Sequence, residues 1–288
     1  MKTGFVSIFG KPNAGKSTLL NALLGEKLAI VSPKVQTTRH RIKGILTEPG
    51  YQVIFSDTPG IIEPKYKLHE KMMHAVKASL EDADLALLMV AANERLEESD
   101  EIFSSLRLKV PAFVILNKID LIDSARKEKA IQFFQQKEYC REVIAISALQ
   151  QDAKPLINKV LEYLPEGEPF FEGDNISDLS TRFFVSELIR ERVYALYEQE
   201  IPYETTVLIR AFEEKTTLTK IIADIIVQRE SQKAIILGEG GRMIKKLGSD
   251  ARVAIEDFIG RKVFLELFVK VRPKWRDNEN FLKEYGYK

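Results

Sequence analysis

The segment Gly10-Lys11-Pro12-Asn13-Ala14-Gly15-Lys16-Ser17 constrains the fold more than any other feature of the chain. It matches G-x-x-x-x-G-K-[ST] and stands directly after the apolar run Val6-Ser7-Ile8-Phe9 and directly before the helical pattern Thr18 to Leu24. Glycines in such a loop let backbone N–H groups turn inward around phosphate oxygens, and the start of the following helix adds a favourable dipole. The segment therefore predicts a phosphate loop of an α/β fold, with Gly10 to Thr18 as the cradle. Lys16 neutralises charge on the β and γ phosphates, and Ser17 offers its hydroxyl to Mg²⁺.

Three further segments occur in the order that a guanine nucleotide site requires: Asp57-Thr58-Pro59-Gly60, Asn117-Lys118-Ile119-Asp120 and Ser147-Ala148. Each follows an apolar strand pattern and so lies at the carboxyl edge of a sheet, where open α/β folds bind ligands. Asp57 is expected to reach the Mg²⁺, and the Gly60 N–H the γ-phosphate. Asp120 sets the base, because its two oxygens accept from guanine's ring N–H and exocyclic amine, a donor pair that adenine lacks. Asn117 and the Ala148 N–H are expected to complete the guanine edge, with the aliphatic stem of Lys118 over the ring or against the phosphate loop.

Ser32 to His40 is polar and without period, as a mobile switch segment is. Thr37 or Thr38 should close on Mg²⁺ and the γ-phosphate, with Thr38 the favoured choice, so that order in this segment depends on the γ-phosphate. Lys16 and Thr38 are thus the expected catalytic pair. Ile61 stands where many small GTPases carry the glutamine that orients the attacking water, so slow intrinsic hydrolysis is expected. Asn13 is a candidate to hold K⁺ near the developing charge.

Up to about Leu164, strand-length apolar runs (Gln52 to Ser56, Leu85 to Ala91, Ala112 to Leu116, Val143 to Ile146) alternate with amphipathic stretches, which predicts a mostly parallel sheet with helices on both faces. The exception is Ile42 to Thr47 and Tyr51 to Phe55, joined across Pro49-Gly50 with no room for a crossover; these should form an antiparallel hairpin at the sheet edge. Residues 165–180 are rich in Pro, Gly, Asp and Glu and read as a linker. A helix pattern over Arg182 to Glu198 and strand patterns over Thr205 to Phe212 and Thr219 to Val227 then predict a smaller α+β domain. The expected division is 1–164, 165–180 and 181–288, in keeping with a length of 288 residues, where single cores stop growing.

Composition narrows the class. With 45% hydrophobic residues the chain is globular, and its single cysteine, Cys140, forms no internal disulfide. No signal-like segment follows Met1, and no apolar run approaches the ~20 residues of a spanning helix, so a cytoplasmic location is expected. Overall charge is only +1, yet residues 229–288 carry 14 Lys/Arg against 9 Asp/Glu, which points to a polyanion at the C-terminal end.

That end holds Gly238-Glu239-Gly240-Gly241, a Gly-x-x-Gly turn between two helical stretches, followed by Arg242, Lys245 and Lys246. KH domains clamp a single-stranded nucleic-acid backbone on such a turn. The stretch Lys270, Arg272, Lys274, Trp275 and Arg276 either contacts phosphate and stacks bases or is a charged surface with Trp275 docked in the core. His69 and His74 resemble a zinc-protease helix, but their spacing of five splays them apart.

Together, GKPNAGKS, QTTRH, DTPG, NKID and SA, joined to GEGGRMIKKLG, resemble the Era family of bacterial GTPases over essentially the whole chain. The resemblance implies a P-loop GTPase domain followed by a type II KH domain, with GTP or GDP and Mg²⁺ held by Gly10 to Ser17, Asp57 to Ile61 and Asn117 to Asp120, and with Ser17 and Thr38 on the metal. It further implies binding of the 3′-end region of small-subunit ribosomal RNA through Gly238 to Gly241, a role in small-subunit maturation, and a monomer. Ile61 is itself in keeping with that family. The competing reading is a regulatory GTPase that acts through a protein partner or peripherally at the cytoplasmic membrane surface.

Overall fold

The computed structural model describes residues 1–150, 153–173 and 175–287. Residues 151–152, 174 and 288, which fall in the expected first domain, linker and second domain, lie outside the described residues. The chain divides into two compact units, Met1–Pro64 with Met72–Asp178 and Lys65–Lys71 with Leu179–Lys288.

In the first unit, β1 (Lys2–Gly10), β2 (Ile42–Glu48), β3 (Tyr51–Asp57), β4 (Leu85–Ala91), β5 (Ala112–Asn117) and β6 (Glu142–Ala145) form one sheet in the order β2-β3-β1-β4-β5-β6. All neighbours are parallel except β2 and β3, the hairpin expected across Pro49-Gly50, with β2 at the sheet edge. All seven residues of β4 are buried, as a central strand covered on both faces requires.

Alternation along the strands sends their side chains to two layers. Ala86, Leu88, Val90, Val114 and Leu116 join a cluster with Val76 of α2 (Lys67–Asp82), Phe103 of α3 (Leu96–Ser105) and Phe134 of α4 (Ser124–Gln135). On the opposite face Phe113 meets Tyr163 of α5 (Lys154–Tyr163) edge to face. Gly44 leaves room there for Leu20 and Leu24 of α1 (Lys16–Leu24), where any added Cβ would come within 2.5 Å of Leu24.

Within the expected linker, residues 165–173 and 175–178 are tied to this sheet by hydrogen bonds. Thr3 N–H donates to the Pro165 carbonyl, the Gln52 amide serves Phe170 and Phe171, and Ile45 N–H donates to Ile176 along the open edge of β2.

The second unit runs α6 (Thr181–Leu196), α7 (Ile201–Glu204), β7 (Thr206–Glu214), β8 (Thr219–Val227), α8 (Glu230–Leu237), α9 (Arg242–Ile259), β9 (Val263–Val271) and α10 (Glu279–Glu284). Its sheet has the order β7-β8-β9, antiparallel then parallel. One face packs on α6 and α9 through Val185, Leu188, Ile189, Ala251 and Ile255. Trp275 is fully buried, with its indole N–H donated to the Glu204 carbonyl at 2.9 Å and its ring beside Tyr285 and Tyr287. Of the two readings of the basic stretch, the docked tryptophan is the one that holds.

Candidate nucleotide site and nucleic-acid interface

The phosphate loop closes the end of β1 and opens α1. Gly10 has φ 152° and Gly15 φ 101°, conformations that glycine adopts without strain, and Asn13 takes the left-handed φ of 62°. A Cβ on Gly10 would lie 2.4 Å from the Met89 carbonyl, and one on Gly15 would lie 2.2 Å from the Asn117 amide nitrogen. The glycine requirement is therefore steric as well as conformational. Lys16 folds back to donate to the carbonyls of Gly10 and Lys11, at 3.2 and 2.8 Å. Lys11 points away and pairs with Glu94 and Glu98.

Ser17, Thr38 and Asp57 converge. Ser17 Oγ and Thr38 Oγ1 lie 2.8 Å apart, and the two reach Asp57 Oδ2 at 2.6 and 3.3 Å. Thr37 instead donates to the Lys34 carbonyl. Asp57 Oδ1 is buried without a hydrogen-bond partner, which is costly unless something cationic meets it. An all-oxygen set of two hydroxyls and one carboxylate with a vacant lone pair suits a hard divalent ion, so these residues fit Mg²⁺. Burial pushes the Lys16 ammonium down to about 8 and lifts the Asp57 carboxyl to about 6, although the attraction between the two charges pulls each back. A polyphosphate together with a divalent ion would compensate both.

The loop after β3 is fixed against β1. Thr58 donates to the Ile8 carbonyl at 2.7 Å, Ile61 N–H donates to Gly10, and Gly60 lies so close to Pro12 that a Cβ would come within 2.7 Å of it. Pro59 is buried. Ile61 packs its side chain into the cluster of Phe9 and Val90, which explains why an apolar residue stands there.

Asn117 does more than its expected share. Its amide donates to the Ala14 carbonyl at 2.8 Å, and its Oδ1 accepts from the Ala148 N–H at 2.9 Å. The N–H expected on the guanine edge is thus engaged by Asn117, which ties the phosphate loop to the Ser147-Ala148 turn. Lys118, at φ 61°, lines the cleft, while Asp120 is exposed on the 3-10 turn Ile119–Leu121. The cleft itself measures about 350 Å³ and takes in Gly15, Lys16, Ser17, Thr18, Thr38 and Gly60. It also includes Val31 and Leu149, which the motifs do not name; Leu149 is 80% exposed directly after Ala148, a position that adjacency to the motif could have flagged. The Asn13 amide donates to the Pro33 carbonyl at 2.7 Å, which leaves its Oδ1 as an acceptor.

In the second unit, Gly238, Gly240 and Gly241 have positive φ of 67°, 59° and 76°, so three of the four residues of the turn between α8 and α9 hold backbone conformations that favour glycine. Nothing lies within 4 Å of a Cβ on Gly240 or Gly241, whereas Gly238 abuts Met243. Glu239, expected at the interface, pairs with Arg242 at 2.5 Å, and Lys246 with Asp250 at 3.7 Å. Lys245 belongs to a groove of about 380 Å³ between α9 and β9, with Ile244, Gly248, Arg252, Leu265 and Leu267. Arg252 and the two leucines were missed by motif reading. Ile244, Gly248 and Arg252 fall at i, i+4 and i+8, one face of a helix, so helical spacing carried forward from Gly241 would have found that wall.

Among the described residues no group of acidic, histidine or cysteine side chains is arranged for a metal of its own. His69 is buried with its Nδ1 accepting from the Lys65 N–H, and His74 is exposed. Cys140 is half-buried, and burial raises its thiol pKa.

Fold and site define a P-loop GTPase joined to a KH domain. The family described as 50S ribosome-binding GTPase matches residues 5–118, and the KH domain family matches residues 200–276. The GTPase Era of Caldanaerobacter subterraneus subsp. tengcongensis is 44% identical over 291 residues, covering 99% of this chain and 98% of its own. That of Staphylococcus haemolyticus is 42% identical over 290 residues, covering 99% and 97%. Among solved structures, Era in complex with MgGDPNP and nucleotides 1506–1542 of 16S ribosomal RNA is 41% identical with a TM-score of 0.95, covering 100% of this chain and 99% of its own. A variant of Aquifex aeolicus Era bound to GDP and AlF4⁻ is 40% identical with a TM-score of 0.95 and the same coverage. The chain belongs to the Era family of GTPases.

Proposed function

We propose that this GTPase is a nucleotide-operated switch that binds the 3′-end region of small-subunit ribosomal RNA through its KH domain and assists assembly and maturation of the small subunit. The observation that carries the reading is the hydrogen-bonded set of Ser17, Thr38 and Asp57 in one unit, with the Gly-x-x-Gly turn and the groove between α9 and β9 in the other. The relative that binds both MgGDPNP and a 16S fragment supports it.

Lys16 and the backbone of Gly10 to Ser17 hold the β and γ phosphates, and Asp120 with Lys118 holds the guanine. Ser17, Thr38 and Asp57 are the residues that would hold Mg²⁺, which neutralises phosphate charge when bound. Thr38 belongs to Ser32–His40 and Gly60 to the loop after β3, so both segments respond to the γ-phosphate. With Ile61 turned into the core, no side chain at that position orients water, and intrinsic hydrolysis is slow. Residues 1–164 form the GTPase domain, 165–180 the connector and 181–288 the RNA-binding domain.

The protein acts as a cytoplasmic monomer in this reading. No helix among the described residues is long and apolar enough to cross a membrane. Co-sedimentation with purified small subunits tests the assignment: GTP-analogue-dependent pelleting with the small subunit is expected. Recovery instead on floated anionic liposomes, with none on the subunit, would favour the membrane reading.

A further inference from the structure

β9 is an edge strand, hydrogen-bonded to β8 on one side and, among the described residues, to no strand on the other. Its residues alternate between two surfaces. Leu265 and Leu267 face the helices and wall the groove, while Phe264, Glu266, Phe268 and Lys270 lie on the outer face. Phe264 and Phe268 are 49% and 48% exposed. That is unusual in a unit that buries Phe184, Tyr194, Tyr197 and Trp275 almost completely.

The register sets their surroundings. Lys220 stands beside Phe264, Ile222 beside Glu266, Asp224 beside Phe268 and Ile226 beside Lys270. Toward Lys270 the face is closed: Asp224 is 4% and Ile226 2% exposed, and the Tyr287 hydroxyl bonds Thr206, the register partner of Ile226. Toward Phe264 it is open. Arg210, extended over this face, pairs with Asp224 at 3.0 Å.

We propose that the outer face of β9 is a second RNA contact, on which unpaired bases that leave the groove over the free edge of the strand stack against Phe264 and Phe268. The inference rests on the RNA-binding reading above and adds to it a stacking platform. Two observations favour RNA over a protein partner. The rings alternate with the groove leucines on the same strand, so groove and platform are continuous around an edge that no other strand among the described residues occupies. Lys220, at the open end, and Arg210, which stays 58% exposed beside its partner Asp224, flank the rings as phosphate partners. Glu266 lies between the rings, where it repels phosphate and accepts from exocyclic amines, so bases occupy the middle of the face and the backbone its margins. Base-on-aromatic stacking tolerates sequence, because every base has a π-face.

The test uses the full chain and the RNA of nucleotides 1506–1542 that the crystallised relative holds. Phe264→Ala and Phe268→Ala should each weaken binding about tenfold, from the usual strength of base–aromatic stacking, with the basal GTPase rate and unfolding midpoint unchanged. Phe268→Trp should bind within about twofold of wild type, and its added indole fluorescence should be quenched by the RNA, against the buried background of the chain's one native tryptophan. That second readout holds even if an alanine variant folds poorly. Wild-type affinity in the double alanine variant, or no quenching in Phe268→Trp, overturns the platform and leaves the face to a protein partner. A wild-type chain that does not bind the RNA overturns the RNA reading and the platform with it.

Discussion

Lys43 pairs with Asp178 at 3.0 Å, and the same backbone carbonyl of Lys43 accepts from the Ser177 hydroxyl at 2.6 Å. Lys43 lies three residues beyond His40, where the switch segment ends and β2 begins; Asp178 lies two residues before Ser180, whose hydroxyl caps α6 by accepting from Phe183 N–H. Residues 176–178 are thus bonded to the strand that follows the switch segment, and they stand in the chain directly before the cap of the second unit's first helix.

The first prediction follows from that strap. Asp178→Ala combined with Ser177→Ala should leave GTP affinity within about twofold, because neither residue touches the cleft. Stability should change by about 1 kcal/mol or less, as expected for a half-exposed ion pair and one hydrogen bond. The difference in RNA affinity between GTP-analogue and GDP forms should shrink to nothing. Anisotropy titrations in both states check it, and a preserved difference would remove the strap from the coupling.

Asn117→Ala should be costly even without nucleotide. It leaves the Ala14 carbonyl and Ala148 N–H without their buried partner, and each such loss costs about 1–3 kcal/mol. Urea unfolding of the nucleotide-free protein should show a loss of about 2–4 kcal/mol, together with weaker GTP binding. A variant as stable as wild type that still loses GTP would mean that Asn117 acts on the base alone.

Asp120→Asn should exchange base preference. In the proposed site the exposed carboxylate would accept two hydrogen bonds from guanine, and the substitution makes it an amide that donates one, so GTP affinity should fall by about 10²-fold or more while xanthosine triphosphate gains. Competition with fluorescent GDP measures both. Equal loss of the two nucleotides would place guanine recognition elsewhere.

The hydrolysis step should respond to the monovalent cation. Asn13 is held left-handed, with its amide on Pro33 and its oxygen directed away from that bond. GTP turnover should be faster in KCl than in NaCl, and Asn13→Ala should abolish the difference. Identical rates in the two salts would dismiss K⁺.

Much of this is legible in the sequence. Order and strand-end placement of the four nucleotide motifs specify a parallel sheet with its loops on one edge, and Pro49-Gly50 specifies the hairpin, because local chemistry there leaves one outcome. What the motifs could not show was tertiary. Asn117 reads as a base contact, yet its geometry makes it a brace between two loops far apart in sequence. Trp275 is equally suited to stacking and to burial until the Glu204 carbonyl is seen to take its N–H. Residues 165–180 read as a linker from composition, because the hydrogen bonds that Pro165, Phe170, Phe171 and Ile176 make to Thr3, Gln52 and Ile45 leave no periodic mark. Phe264 and Phe268 were invisible for a similar reason: strand alternation gives two faces but not which one is covered.

The central claim is that nucleotide state gates RNA binding, and one titration tests it most directly. RNA of nucleotides 1506–1542 would be titrated into the chain loaded with a non-hydrolysable GTP analogue or with GDP, with Gly240→Asp alongside. Gly240 sits at φ 59° with open space where a side chain would go, and aspartate tolerates that backbone, so the variant should fold while placing a negative charge on the turn. Tight binding in the analogue state, at least tenfold weaker with GDP and lost in Gly240→Asp, is the result expected. Equal affinity in the two nucleotide states, or binding indifferent to the substitution, would contradict the account.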